Sequence, residues 1–376
     1  MKDNDPHAPY TAHSAENSYF CGKIEAYLHY KGIEHKTISI SQGSLDKIYR
    51  QTGTRKVPAI ETADKQWLID TTPMMQWFDK KYPQGQVLPD DPALAFIALL
   101  IEDYADEWLW RPGLWWRWFP KLTRRHIARN ITSKIYKNWL AIPTSWLLSW
   151  RQTTDFLTDD GVTKDNADAV RDMLYQEFEL LEEVFKQQPY MLGSHPSAAD
   201  FGYFGPFFRH FGNDPAPAEE MRQRARNTYE WLARLWNEST ERLGPDVTWV
   251  WPEGEHWKPL WHRISNDYLP YLHQNAIAFR DGKVRFDHIG ASFQFNNTKT
   301  THYRVGCRRT LQDEFAKLSM QDQQRVCQLV DPENNLEILS RDGVITPPVE
   351  DQQLPIPRGD KFKLPLKYRL IGQPRN

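Results

Sequence analysis

Apolar positions recur at helical spacing over 19–31, where Phe20, Ile24, Tyr27 and Leu28 share one face. Asn17 or Ser18 stands where an N-cap belongs and Gly32 where a helix stops, so the pattern predicts a helix with both ends specified. From Lys36 to Ser41 polar and apolar residues alternate as in a half-buried strand, and Ser44 to Gln51 reads as a short helix or turn. His7 to His13 can supply a strand ahead of these, which makes the opening order β-α-β-α. Two short apolar runs, Val57 to Glu61 and Gln66 to Asp70, are joined by 62–65 like the arms of a hairpin. Pro58 lacks the N–H that a ladder needs, so it belongs at a strand's start or edge, and the bond before it is a candidate cis bond. A further helix is predicted from about Pro73 to Tyr82, capped by Thr71 or Thr72.

The proline-rich stretch Pro83 to Pro92 reads as a linker, with a boundary near residue 88, and from Ala93 to about Asn237 the pattern is almost wholly helical. Within it Ser197 and Asp200 have the spacing of a capping box, in which each side chain satisfies the other's backbone N–H. After Leu243 the pattern predicts a helix near Trp257 to Phe279, a hairpin around Lys283 to Phe295 and a helix near Tyr303 to Leu329. The tail after Ile345 is proline-rich, and Arg358 to Arg375 carries six basic residues against one acid, as in an extended arm. A chain of 376 residues suits two domains and a third segment, which gives an expected division into 1–85, 92–240 and 243–376.

Charge and cysteine content narrow the class. Lys and Arg number 47 against 49 Asp and Glu, a balance without the basic excess that marks a nucleic-acid partner. Cys21, Cys307 and Cys327 form neither a CxxC pair nor an even framework, which suits a reducing compartment. The polar start MKDNDPHAPY lacks a signal peptide's apolar core, and no long uninterrupted apolar run appears, so a cytoplasmic protein without a membrane partner is expected. His256, His262 and His273 match no common metal spacing, and no metal is expected. The outlier is tryptophan, sixteen in all, with Trp108, Trp110, Trp115, Trp116 and Trp118 crowded together as core or as the wall of a binding site.

Three stretches, in order, carry a resemblance: Ser18 to Ile33, ending in Lys-Gly-Ile; Thr52 to Ile60, with Lys-Val-Pro-Ala; and Leu68 to Pro83, with Asp70-Thr71 ahead of a helix. Together they resemble the first domain of the glutathione S-transferase superfamily, and the Ser197/Asp200 box resembles a feature of its second. The resemblance implies a thioredoxin-like α/β domain, an all-helical domain and a mixed C-terminal extension that the ordinary two-domain family lacks. It also implies glutathione as cosubstrate, a hydrophobic second substrate and a homodimer.

Residue chemistry sharpens that expectation. The γ-glutamyl end of glutathione bears an ammonium and a carboxylate, for which Asp70 is an acceptor and Thr71, with the helix-start N–H groups, a donor. Val57, just before Pro58, can pair its backbone with the cysteinyl unit, and Lys56, or Arg55 beside it, can meet the glycyl carboxylate. A thiol of pKa about 8.5 is only a few per cent ionised at neutral pH, and a hydroxyl at a helix N-terminus favours the thiolate. Ser18 is the first candidate for that role and Ser14 the second. The family's redox members resemble glutaredoxins in carrying cysteine where this chain has Ser18, which leaves Cys21 without a partner and points to conjugation. Ether cleavage, isomerisation or a non-catalytic interaction module are the alternatives.

Overall fold

The structure, a computed structural model, describes residues 5–135, 138–347, 354–357, 359 and 362–365. The first unit contains strands β1 (Tyr10–Ser14), β2 (His35–Ser39), β3 (Ala59–Glu61) and β4 (Trp67–Ile69), with helices α1 (Tyr19–Tyr30), α2 (Gln42–Thr52) and α3 (Thr71–Lys81). The sheet order is β2-β1-β3-β4. β1 runs parallel to β2, which requires the α1 crossover, and antiparallel to β3, which pairs antiparallel with β4. This is the expected thioredoxin-like arrangement.

The element limits move for local reasons. β1 starts at Tyr10 rather than His7, whose N–H turns back to Asp5 Oδ1 at 2.9 Å. Its partner β3 starts at Ala59 because Pro58 has nothing to donate. Ser18 is the N-cap of α1, its Oγ accepting from the Cys21 N–H at 3.4 Å. Ser41 and Ser44 close a capping box ahead of α2. α3 begins two residues before Pro73, because Asp70 rather than a threonine occupies the N-cap position and its side chain makes no cap bond.

The helical region comprises α4 (Pro92–Glu107), α5 (Trp110–Trp118), α6 (Lys121–Ile135), α7 (Asn138–Arg151), α8 (Leu157–Asp159), α9 (Ala167–Gln187), α10 (Ala198–Pro206), α11 (Pro215–Arg224), α12 (Arg226–Trp236) and α13 (Thr240–Leu243). α4 is buried almost all round. Asp91 caps it, accepting from Ala93 and Leu94 N–H groups at 2.9 and 3.2 Å. α10 packs so closely on α4 that a Cβ at Gly202 would sit 2.8 Å from the Glu102 Cα, and only glycine permits that approach. The capping box of α10 is present, with Asp200 Oδ2 accepting from the Ser197 N–H at 2.9 Å.

The remaining chain forms α14 (Lys258–Arg263), α15 (Leu269–Arg280), β5 (Arg285–Ile289), β6 (Gln294–Lys299), α16 (His302–Ala316), α17 (Met320–Val330) and α18 (Glu337–Ser340). The single helix expected over 303–329 is two, because Ser319 caps a new start by accepting from the Asp322 N–H at 3.1 Å. The extension is built into the core. Arg263 meets Glu177 at 2.8 Å, and Glu177 also accepts from Tyr104 and Tyr203, joining α14 to α4, α9 and α10. Arg304 reaches Glu107 at 2.9 Å and Asp160 at 2.6 Å.

The expectation of a free basic arm needs correcting where the tail is described. Ile356 pairs with Trp67 through two backbone bonds of 3.0 and 2.7 Å, covering the outer edge of β4, and the Phe362 N–H donates to the Arg50 carbonyl at 3.1 Å. Most of 366–376, with its basic residues, lies outside the described residues. Among the described residues no helix is long and apolar enough to cross a membrane.

Candidate functional site

The predicted site residues fall into two groups that flank the head of α1. At the end of β1, Ser14 is buried and its hydroxyl donates to Glu25, whose other oxygen accepts from Arg209. Four residues on, Ser18 is half-buried at the α1 N-cap, where the hydroxyl keeps its proton free for a further acceptor while its lone pair serves Cys21 N–H. Cys21 itself is fully buried, and burial pushes its thiol up, with Ser18 and Ala15 pulling less strongly the other way. That is an inert thiol rather than a redox group.

The second group lies at the start of β3 and of α3. The Val57–Pro58 bond is cis, and Val57 stands just ahead of the ladder that begins at Ala59. Asp70 has φ of +69°, a left-handed conformation that points its carboxylate away from the cap position of its own helix. Burial pushes the Asp70 carboxyl up, and the charge of Lys23 opposes this. Asp70 Oδ1 accepts from the Tyr303 hydroxyl of α16 at 3.1 Å, and the Lys56 ammonium stands 5.2 Å from the centre of the Tyr303 ring. Thr71 is buried in the first turn of α3.

Beneath both groups lies a buried ionic layer. The Lys23 ammonium, on α1, donates to Glu102 at 2.6 Å, Asp106 at 2.5 Å and Thr72 at 3.3 Å, fixing α1 and α3 to α4. Burial opposes the Lys23 charge, but Asp106 and Glu102 outweigh it and hold the ammonium above its ordinary value. Arg117 of α5 holds the loop before Ser18: it donates to the Asn17 carbonyl at 2.7 Å, to Arg209 O at 2.9 Å and to both oxygens of the buried Asp214 at 2.6 and 2.9 Å. His210 Nε2 also accepts from Arg117 at 2.7 Å, since burial, and then Arg117, push its pKa well down and keep the ring neutral.

Sequence reasoning missed Arg117, Lys23 and Tyr303. Each acts across a long sequence separation, and no local motif marks it. The tryptophan cluster divides. Trp108, Trp116 and Trp118 are core, whereas Trp110 is half-buried and stacks on Phe20, the second residue of α1, at 6.4 Å between ring centres. A cleft of about 190 Å³ opens beside Ser18, between Ile40 and the α6 residues Ile131 and Lys134. Of the other cysteines, Cys327 is buried and Cys307 half-buried.

Comparison with known domains decides the family. Residues 13–86 match the glutathione S-transferase N-terminal domain, and residues 164–234 match the glutathione S-transferase C-terminal domain. The chain belongs to the glutathione S-transferase superfamily. The superfamily's two domain matches leave α4 to α7 and the whole C-terminal extension unassigned.

Among solved structures, a glutathione S-transferase from Rhodospirillum rubrum F11 is 14% identical, with 66% of this chain and 97% of that one covered at a TM-score of 0.43. One from Methylobacterium radiotolerans, in complex with glutathione sulfonate, is 14% identical over 65% and 99% at 0.42. A rice glutathione S-transferase, in complex with glutathione, is 16% identical over 63% and 95% at 0.41. No curated protein matches the chain.

Proposed function

We propose that this superfamily member is a glutathione-dependent transferase that ionises the glutathione thiol at Ser18 for attack on a hydrophobic electrophile. The observation that carries the reading is the pairing of a hydroxyl at the α1 N-cap with a left-handed Asp70 at the head of α3. In this reading Asp70 accepts from the γ-glutamyl ammonium, and Thr71 with the first N–H groups of α3 binds the adjacent carboxylate. Val57 pairs with the cysteinyl backbone beside Pro58, and Lys56 meets the glycyl carboxylate.

The sulfur then faces Ser18. Its hydroxyl donates to the thiolate, and the α1 dipole favours the negative charge there. The thiol proton passes to solvent, the thiolate pair forms the new S–C bond, and the electrophile releases a leaving group or takes up a proton. Phe20 and Trp110 offer an apolar wall beside Ser18 for the second substrate, and removing water from such a wall is what an apolar acceptor gains by binding. A homodimer is part of the same reading, with a contact surface other than the outer edge of β4, which Ile356 already occupies. Light scattering tests that against the 44.4 kDa chain.

Calorimetric titration with glutathione tests the reading as a whole. Binding is expected, with the ultraviolet absorbance of a bound thiolate. Ser18→Ala is expected to retain binding and to lose that absorbance, with kcat lower by about 10²-fold, the scale of one lost oxyanion donor. Absence of glutathione binding to the unaltered protein sinks the proposal.

A further inference from the structure

Helix α7 is turned inside out. Its small and polar residues face the protein: Ser145 is buried, and the Ala141 carbonyl accepts from Thr132 Oγ1 of α6 at 3.0 Å. Its large apolar residues face outward, with Trp146 75% exposed, Leu147 63%, Ile142 61% and Trp150 61%. Positions 142, 146 and 150 are one helical turn apart, so they form a continuous ridge. Leu122, at the start of the paired helix α6, is 77% exposed. Scattered exposed leucines are ordinary, whereas a contiguous ridge with two tryptophans marks a surface that another phase or molecule covers.

Charge identifies what covers it. From Lys121 to Arg151 the sequence holds seven lysines and arginines and no aspartate or glutamate, in a chain whose net charge is −2. Lys121, Arg125 and Arg129 are exposed at spacings of four along α6. A second copy placed on this face by two-fold symmetry would set these cations against themselves, which is costly. An anionic bilayer answers both features: tryptophan and leucine enter the headgroup boundary, and lysine and arginine meet the lipid phosphates. At 14 residues α7 is too short to span the hydrocarbon core, so it lies in the interface plane.

We propose that the α6–α7 hairpin is a docking surface for an anionic phospholipid bilayer, contrary to the expectation that the chain has no membrane partner. The hairpin also adjoins the cleft beside Ser18. Asn130 of α6 accepts from the Asn17 side chain at 2.8 Å, Lys134 pairs with Glu16, and Ile131 lines the cleft. Docking therefore sets the mouth of that cleft at the lipid surface.

Co-sedimentation of the full chain with vesicles tests the proposal without recourse to glutathione. Binding to phosphatidylcholine mixed with phosphatidylglycerol is expected, weaker to phosphatidylcholine alone and falling with added salt. Trp146→Ser with Trp150→Ser is expected to cut binding to the mixed vesicles at least about tenfold, and Arg125→Gln with Arg129→Gln about fivefold per charge with a shallower salt dependence. All four side chains are exposed, so the variants keep the fold, which circular dichroism checks. Failure to bind mixed vesicles, or unchanged binding by the tryptophan variant, overturns the proposal. So does a change in the tryptophan variant's oligomeric state without a change in vesicle binding, which would make the ridge a contact between copies.

Discussion

The Tyr303 hydroxyl donates to Asp70 Oδ1 at 3.1 Å, joining the extension to the head of α3 across 233 positions of sequence. Asp70 keeps its other lone pairs for a ligand, so the contact orients the carboxylate without consuming it. Tyr303 also lies against the Lys56 ammonium. One extension side chain thus touches two residues assigned to opposite ends of glutathione in the proposed reading.

Tyr303→Phe removes the hydroxyl and keeps the ring. The lost bond is worth about 1 kcal/mol, so KM for glutathione is expected to rise about fivefold with kcat little changed, as for a contact made equally in ground and transition states. Steady-state kinetics with varied glutathione reads this directly. An unaltered KM would remove Tyr303 from the site.

Ser14 and Ser18 are separable by substitution. The Ser14 proton is committed to Glu25, which in turn holds Arg209. Ser14→Ala is expected to cost about 1–2 kcal/mol in urea unfolding, because a buried carboxylate loses a donor, yet to leave the pKa of bound glutathione in place. A rise of a unit or more in that pKa, measured by ultraviolet titration, would transfer the activating role from Ser18 to Ser14.

Arg117 bears on stability more than on binding. Arg117→Met leaves the fully buried Asp214 without its charged partner and frees the Asn17 carbonyl. The expected loss is about 3–5 kcal/mol, and Arg117→Met combined with Asp214→Asn should recover part of it because the uncompensated charge is gone. Chemical denaturation of the single and double variants checks the sign. Equal losses in both would show that the charge pair is not what Arg117 contributes.

His288 sets an acid limit. Burial, and then the neighbouring Arg111, push its pKa down to about 3. Arg111 is itself enclosed by Trp108, Tyr271 and Phe295, with ring centres 4.8, 4.2 and 4.5 Å away. Unfolded, the imidazole binds a proton near pH 6.5, so the unfolded state holds more protons between pH 6.5 and 3. Stability contributed by the neutral ring is therefore present above pH 6.5 and is lost as the pH falls through that window, on the order of a few kcal/mol in total. His288→Gln should flatten the acid slope of the unfolding free energy over this range, and an unchanged slope would assign the acid loss to other groups.

What could be read from the sequence was local. The α1 cap at Ser18, the stop at Gly32, the turn at Pro58 and the Ser197/Asp200 box are recognisable because the groups that satisfy one another lie within about four residues. Helix limits failed where a nearer cap intervened, as Ser319 did, or where a backbone special took the cap position, as Asp70 did. The site was half legible: Ser18, Val57, Pro58 and Asp70 sit in ordered motifs, whereas Arg117, Lys23 and Tyr303 carry no motif of their own.

By itself, the sequence determined the order of elements, the two-domain character of the first 240 residues and which short segments carry the candidate chemistry, since propensity, capping and turn geometry act over a few bonds. Tertiary structure alone decided that Tyr303 reaches Asp70, that Arg117 grips the loop before Ser18, that Ile356 closes the edge of β4 and that α7 turns its tryptophans outward. A 3.6-residue period reveals that a helix has two faces, but which face turns inward depends on the partner that packs against it. For α7 the partner side was filled by Thr132 and the small residues of the helix pair, and the apolar face was left to solvent or to lipid.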